Sequence, residues 1–452
     1  MSDVLSMPSE GHMMTFPQTV SILTNGCSEA LKYSIILKRF FSQNGASITE
    51  EYDTADLIIF YACGLTATSR EHSTQFIQEL RNNRKKGGKS IVWGCLPKID
   101  PSLVRSLGQD TIVGPLDLHF FDRIAPEDRK TTLSQIENSF SSHLLWEDRL
   151  LSRNRANEDL FSRAIQVNHF IDNRVLAIAR MTLRVPFVNR MSTALFENTL
   201  KNRLIKKLIK KCDQARRGSL YIPIATGCRN HCTYCAEKQV YGSTKSRDQD
   251  AILAEFEHGL QMGYHHFSLI ATDLSAYGID IGSSLPELLD RMLDAGARRK
   301  FYIFLNQAEP YSLFSCFNEL KQVLMSEHIV GLNCPVQSGS DRMLKLMGRR
   351  YKAHQWRETM LTIQRMNKGI RLTTHLLVGF PTESDDDVEM TVRLFEPPLV
   401  IHGMRTFRYN ENSKLPASRI RGKIPEEIKV QRCVAIQRRY AMSFARNVIS
   451  GT

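Results

Sequence analysis

The sequence predicts an α/β protein with two sheets, an open parallel sheet followed by a partial (βα)6 barrel. Three features carry this. Short apolar runs alternate with helix-length segments near the N-terminus, six more such runs fill the C-terminal half, and a charged stretch poor in strand patterns lies between.

In the N-terminal part, a β-rich run from Thr19 to Thr24 leads through Gly26 and Cys27 into a helical stretch near Glu29 to Phe41. A second run, Leu57 to Tyr61, stops just before Cys63. A third, Ser90 to Trp93, runs into Gly94 and Cys95, with a charged helix-like segment, Ser73 to Lys86, before it. Strands alternating with helices imply a parallel sheet, and in open sheets of that kind ligands bind outside the strand carboxyl ends. Residues 1–116 are therefore expected to form an open, flavodoxin-like parallel sheet, whose strand ends permit Cys27, Cys63 and Cys95 to meet at a single three-thiolate site.

Residues 117–217 are expected to be a connector with helices, closed by the basic run Lys201 to Lys211, whose Leu204, Ile205, Leu208 and Ile209 share one helical face. That face suits packing on a neighbour better than nucleic acid. Six β-like runs then follow over 218–424: Leu220 to Ala225, His266 to Ala271, Phe301 to Leu305, Val330 to Cys334, Leu372 to Val378 and Met404 to Tyr409. Such repeats match a partial barrel, with functional groups at the strand carboxyl ends. A last helix is expected over 425–452.

With 452 residues and 42% hydrophobic content, the chain can bury more than one core. No run approaches the roughly 18–20 apolar residues of a membrane helix, and the first residues lack the basic and apolar stretches of an export signal. A cytoplasmic protein without membrane contact is expected, and in it ten cysteines point to reduced thiols or metal sites rather than a disulfide framework. The net charge of +13 suits an anionic partner and a solvated basic surface equally well.

Just after the first barrel strand stands Cys228-Arg229-Asn230-His231-Cys232-Thr233-Tyr234-Cys235, a CxxxCxxC array. Soft thiolates select iron-sulfur clusters or zinc, and three on a short loop can hold three irons of a cubane while leaving the fourth open. An open iron can take S-adenosylmethionine (SAM), whose sulfonium bond an electron from the cluster cleaves to a 5′-deoxyadenosyl radical. The alternative is a zinc site completed by His231 or a distant cysteine. Cys212, Cys316, Cys334 and Cys433 stand singly and are expected to be small buried groups, and His265 and His266, adjacent on a strand, point to opposite faces.

From about Thr19 to Arg432 the chain resembles the radical SAM methylthiotransferases. Besides the cluster loop, the likeness rests on TNGC around Cys27, on Cys63, on WGCLP around Cys95, on ATDLSAYG with Tyr277 and Gly278, on PVQSGSDRMLKLMGRRY from Pro335 to Tyr351, and on LLVGFPTES from Leu376 to Ser384. The resemblance implies two 4Fe-4S clusters, one on Cys228, Cys232 and Cys235 and an auxiliary one on Cys27, Cys63 and Cys95, each with one open iron. It implies SAM in two roles, as methyl donor and as radical source, so that an unactivated C–H becomes C–SCH3. No catalytic residue beyond the cluster ligands is expected. Tyr234, Asp273, Gln337 and Ser338 are candidates for the SAM pocket, although a turn or capping role accounts equally for Asp273, Gln337 and Ser338. A reductant of flavodoxin or ferredoxin type is the expected electron donor.

The chain departs from the family in two places. Ser28-Glu29-Ala30 and Tyr61 stand where the family usually has polar residues and an asparagine, and no room remains after the helix from Pro425 for the RNA-gripping TRAM barrel. On that ground a peptide, protein or small natural product is the expected substrate, ahead of a tRNA adenosine. Sulfur insertion without the methyl, and a non-catalytic iron-sulfur binding protein, are the remaining alternatives.

Overall fold

The structure, a computed structural model, describes residues 15–24, 28–109, 111–125, 130–138 and 219–449. Cys27, Cys212, the run Lys201–Lys211 and most of the expected connector lie outside the described residues. The chain divides into two compact units. Among the described residues, the first holds the chain up to Asn138 together with Gly227–Ser243 and Asn410–Ser418, and the second holds the rest.

The sheet of the first unit comprises β1 (Thr19–Thr24), β2 (Ser47–Ile48), β3 (Leu57–Tyr61), β4 (Lys89–Trp93) and β5 (Ile112–Val113), in the order β2-β1-β3-β4-β5 with every pairing parallel. This is the doubly wound flavodoxin-like order, whose topological switch lies between β1 and β3. All five residues of β3 are buried, as a central strand covered on both faces requires. The helix Ser28–Gln43 packs Tyr33, Ile36, Leu37, Phe40 and Phe41 into the core on one face, at helical spacing. The helix Ala67–Asn83 packs Ile77 and Leu80 into the core on the other, and Thr66 caps its N-terminus by accepting the Ser69 N–H at 3.1 Å.

The first unit runs past residue 116. Leu118, Phe121, Ile124, Leu133 and Ile136 join the same core, with Phe121 edge-on to Trp93 and Phe41. These apolar residues stand among charges without a strand pattern, so the sequence shows a connector where packing makes a core. The segment Gly227–Ser243 also belongs here, because its helix Glu237–Tyr241 buries Val240 and Tyr241 in that core.

In the second unit, β6 (Ser219–Pro223), β9 (His266–Ile270), β10 (Tyr302–Leu305), β11 (Ile329–Asn333), β12 (Arg371–Val378) and β13 (Gly403–Arg408) pair in that order, all parallel. They are the six apolar runs seen in the sequence. Two short strands, β7 (Ala225–Thr226) and β8 (Lys245–Ser246), form an antiparallel ribbon. Intervening helices begin at side-chain caps that the sequence supplies in place: Asp248, Ser284, Ser340 and Ser384 each accept a backbone N–H three residues on. Phe256 of the helix Gln249–Gln261 packs on Phe267 and Phe301, which fixes the helix-covered face of the sheet.

The C-terminal helix Glu426–Ile449 is tied to the loop after β12 by a buried ion pair. Glu383, in the GFPTES segment, accepts the Gly379 N–H at 2.8 Å and an Arg432 guanidinium N–H at 3.1 Å. Burial nevertheless pushes its carboxyl up to about 7, against the Gly379 hydrogen bond and the Arg432 charge. A carboxyl raised on folding holds its proton longer in the native state, so the native state loses stability as pH rises from the ordinary glutamate range through about 7. Thermal melts across that window are expected to show the wild type losing stability relative to Glu383→Gln, by about 2–3 kcal/mol at most. Parallel pH profiles for the two proteins would refute this.

Candidate metal centres

The CxxxCxxC loop of the first unit stands on a turn that the local sequence dictates. Gly227 opens the CxxxCxxC loop at φ +76°, and a Cβ there would come within 2.2 Å of the Ser243 carbonyl oxygen, so only glycine fits. The loop is then pinned by Cys228 N–H to Gly242 O at 3.0 Å, Cys235 N–H to Cys232 O at 3.2 Å and Ala417 N–H to Thr233 O at 3.0 Å. Cys228, Cys232 and Cys235 all remain partly exposed, as ligands with an external partner must. Asn230, itself buried, turns its backbone N–H (3.4 Å) and its side-chain amide (3.7 Å) to Cys228 Sγ, and such donors stabilise a ligating thiolate. Lys238 reaches His231 Nε2 at 2.7 Å. Burial, then the charges of Glu237, Cys232 and Cys228, push the Cys235 thiol well up in the metal-free protein.

Cys63 and Cys95 follow the ends of β3 and β4 and are hydrogen-bonded to each other. The pair shares a proton. The bond from Cys95 brings Cys63 down to about 7, while that same bond, burial and the Cys63 charge hold the proton on Cys95. Nothing in the local pattern marks what surrounds Cys95 Sγ: Tyr61 Oη and Tyr241 Oη each lie 3.2 Å from it and 3.0 Å from one another, all buried. Tyr61 is the residue that stands in place of the family's asparagine. Tyr241 is 146 residues from Cys95 and could be found only in three dimensions. Cys27, the third expected ligand, lies outside the described residues, although β1 ends three residues before it at the same edge of the sheet.

Among the described residues, no three His, Cys, Asp or Glu side chains stand close enough to hold one metal ion directly. Ligands of a single zinc each lie about 2.3 Å from one point, whereas a cubane keeps its thiolates apart at its corners. All-thiolate donors on an open loop fit a four-iron cluster at Cys228, Cys232 and Cys235. The soft donors Cys63 and Cys95 suit the auxiliary one.

The candidates for the SAM pocket fall in both units. Tyr234 is partly exposed on the cluster loop of the first. In the second, Asp273 is 1% exposed, accepts the Ser312 hydroxyl at 2.7 Å, and is pushed up to about 6 by burial and by the neighbouring Glu309. Glu309 pairs with Arg349 at 3.2 Å, and Arg349 donates to Tyr351 Oη at 3.0 Å, a buried network that was not apparent in the sequence. Ser338 is also buried, shares its hydroxyl with Thr391 at 3.3 Å and accepts the Ser340 N–H at 3.2 Å, the geometry of a loop cap. Gln337 sits at φ +71° with its backbone spent on His375 O and Leu377 N, while its side chain is partly exposed. Of the single cysteines, Cys334 and Cys433 are buried and Cys316 partly so.

The chain was compared with known proteins. Residues 222–395 match the model of the radical SAM superfamily, and residues 19–114 match that of the uncharacterized protein family UPF0004. A ribosomal protein uS12 methylthiotransferase of Acetivibrio thermocellus is 26% identical over 91% of this chain and 80% of its own length. A tRNA-2-methylthio-N(6)-dimethylallyladenosine synthase of Fervidobacterium nodosum is 24% identical over 83% of this chain and 72% of its own. The human threonylcarbamoyladenosine tRNA methylthiotransferase is 26% identical over 93% of this chain and 62% of its own. Among solved structures, the radical SAM methyltransferase TsrM of Kitasatospora setae superposes with a TM-score of 0.54 at 13% identity, covering 90% of this chain and 77% of that one, a likeness of fold. The two family models cover the two sheets, and the relatives span both. The chain belongs to the radical SAM methylthiotransferase family, transferases that use SAM and two 4Fe-4S clusters.

Proposed function

We propose that the protein replaces a C–H of a tRNA adenosine by C–SCH3. The observation that carries the chemistry is the cysteine arrangement of the first unit, an open CxxxCxxC loop together with Cys63 and Cys95 at adjacent strand ends. The substrate reading draws on the relatives. Those named for tRNA, from Pyrococcus horikoshii, Fervidobacterium nodosum and human, match over 83% to 93% of this chain. Of the peptide, protein or small natural product expected from the sequence, the protein class has a relative and the other two are set aside. The net charge of +13 agrees with an anionic partner. The relative that acts on a ribosomal protein makes that class the second reading.

With clusters and SAM bound, the first site supplies the carbon radical that removes hydrogen and the auxiliary site supplies the methylthio sulfur. The chain's own residues hold these groups. Cys228, Cys232 and Cys235 would ligate the first cluster, with Asn230 donating to Cys228. Cys27, Cys63 and Cys95 would ligate the second, with the hydroxyls of Tyr61 and Tyr241 fixing Cys95. For SAM we propose Tyr234, Asp273, Gln337 and Ser338. Of the three in the second unit Gln337 is partly exposed, while Asp273 holds Ser312 and Ser338 caps its own loop. An external reductant of flavodoxin or ferredoxin type completes the proposal.

The test is anaerobic reconstitution followed by incubation with SAM, a strong reductant and unmodified tRNA, with nucleosides analysed by mass spectrometry. An adenosine heavier by one methylthio group less a hydrogen is expected. Unchanged tRNA alongside methylthiolated ribosomal protein would move the substrate to the second reading. Cys228→Ala is expected to abolish 5′-deoxyadenosine formation. Cys95→Ala is expected to keep it while lowering iron from about eight to about four per chain and ending methyl transfer. Equal iron in Cys95→Ala and wild type would remove Cys95 from the ligand set. Tyr61→Phe and Tyr241→Phe are expected to retain about eight irons but to change the electron paramagnetic resonance signal of the auxiliary cluster, since hydrogen bonds to a ligand sulfur tune its iron. Unaltered spectra in both would show that the hydroxyls do not act on it.

A further inference from the structure

The amino edge of the first unit's sheet, opposite the strand ends that carry Cys63 and Cys95, is basic. Arg81 and Arg84 close the helix Ala67–Asn83, Lys86 stands in the turn after it and Lys89 begins β4, and all four are exposed. Among the described residues none of the four has an ion pair, whereas Lys85 between them has Asp56 at 2.7 Å. A row of exposed cations is by itself an ordinary solvated surface. What lies beneath this one is not ordinary.

Gln109, just before β5, is 1% exposed, and its Oε1 accepts the Ser90 hydroxyl at 2.7 Å. Its Nε2 is buried and has no acceptor among the described residues. Ser90 accepts from Arg84 Nη1 at 3.4 Å and so passes its own proton to Gln109, which leaves the amide nitrogen as the open end. Arg81 reaches the same place from the other side: a Cβ on Gly108, the residue before Gln109, would come within 3.0 Å of its guanidinium carbon. Gly108, at φ +80°, thus leaves room for the cation against the backbone. A buried N–H without an acceptor costs stability, and each such group calls for a partner from outside the chain.

An open donor flanked by two unpaired guanidiniums is the chemistry of an oxyanion site, since guanidinium forks match phosphate and an amide N–H adds a directed bond. We propose that the amino edge of the first sheet binds a phosphate group, with Arg81 and Arg84 supplying charge and Gln109 Nε2 the directed hydrogen bond. The incoming oxygen displaces Arg84 from its long contact with Ser90. Lys86 and Lys89 extend the positive field beside the site. Five residues of β4 separate this edge from Cys95, about 17 Å, so the site anchors a ligand and takes no part in the reaction. A row of cations around one directed site suits a chain of phosphates, and the source that fits is an RNA backbone, with free phosphate as the other source. The RNA source rests on the tRNA reading above, and the phosphate site itself does not.

The probes are inorganic phosphate and unmodified tRNA, applied anaerobically to the reconstituted wild type, to Arg81→Gln combined with Arg84→Gln, and to Gln109→Met. At equal ionic strength phosphate is expected to raise the melting temperature of the wild type above its value in chloride, because a ligand that binds only the native state stabilises it. That rise should vanish in both variants. Gln109→Met leaves the surface charge unchanged, so its loss of the rise separates a directed site from a diffuse basic surface, and should it fail to fold, the surface double variant decides. The double variant is also expected to bind tRNA at least about tenfold more weakly, with the slope of log affinity against log salt reduced by about two. Formation of 5′-deoxyadenosine from SAM without tRNA should be unchanged. No phosphate stabilisation of the wild type, or an equal one in either variant, overturns the inference. Phosphate stabilisation lost in the variants with tRNA affinity unchanged assigns the site to free phosphate and rejects the RNA backbone. A protein that binds phosphate and tRNA through these residues but leaves the tRNA unmodified keeps the site and loses the substrate reading.

Discussion

The contact of Tyr241 with Tyr61 and Cys95 is the constraint on which the candidate chemistry depends. The tyrosine ends the short helix after the CxxxCxxC loop, and its ring is buried in the core of the first unit. A buried hydroxyl costs free energy unless it finds a partner, and here the partners are Tyr61 Oη at 3.0 Å and Cys95 Sγ at 3.2 Å. The bond that satisfies the hydroxyl therefore also sets where the cluster loop packs. It ties a segment more than a hundred residues downstream to the strand ends that carry Cys63 and Cys95, within one compact unit.

Electrostatics in the second unit follow a different rule. Its buried carboxylates are matched to arginines from distant elements: Glu309 to Arg349, and Glu383 to Arg432. Pairing does not make these sites neutral in effect, since burial still raises Glu383 to about 7. What it does is fix loops and the last helix against the sheet. An isolated pair at a surface contributes little, whereas breaking a buried pair leaves an uncompensated charge.

Membership of the methylthiotransferases settles the cofactors and the reaction class, while the relatives separate on substrate. A peptide, protein or small natural product was expected from the sequence, and the relatives leave a tRNA adenosine at least as well supported.

The sequence by itself determined both sheets and where Cys63, Cys95 and the CxxxCxxC loop stand in the chain relative to the strands. Periodic apolar runs place strands, capping residues start helices, and a cysteine directly after a strand must lie at the carboxyl edge whatever else the fold does. Local spacing also determined the CxxxCxxC loop, whose three thiols need only a tight turn opened by Gly227. Tertiary structure alone decided which core the cluster loop joins, that residues to Asn138 belong to the first unit, and that Tyr61 and Tyr241 meet at Cys95. It decided too that Ser338 is tied to Thr391 and Ser340. These depend on pairings between residues far apart in the chain. Such pairings leave no periodic trace, because burial selects a residue's size and polarity at each position without naming its neighbour.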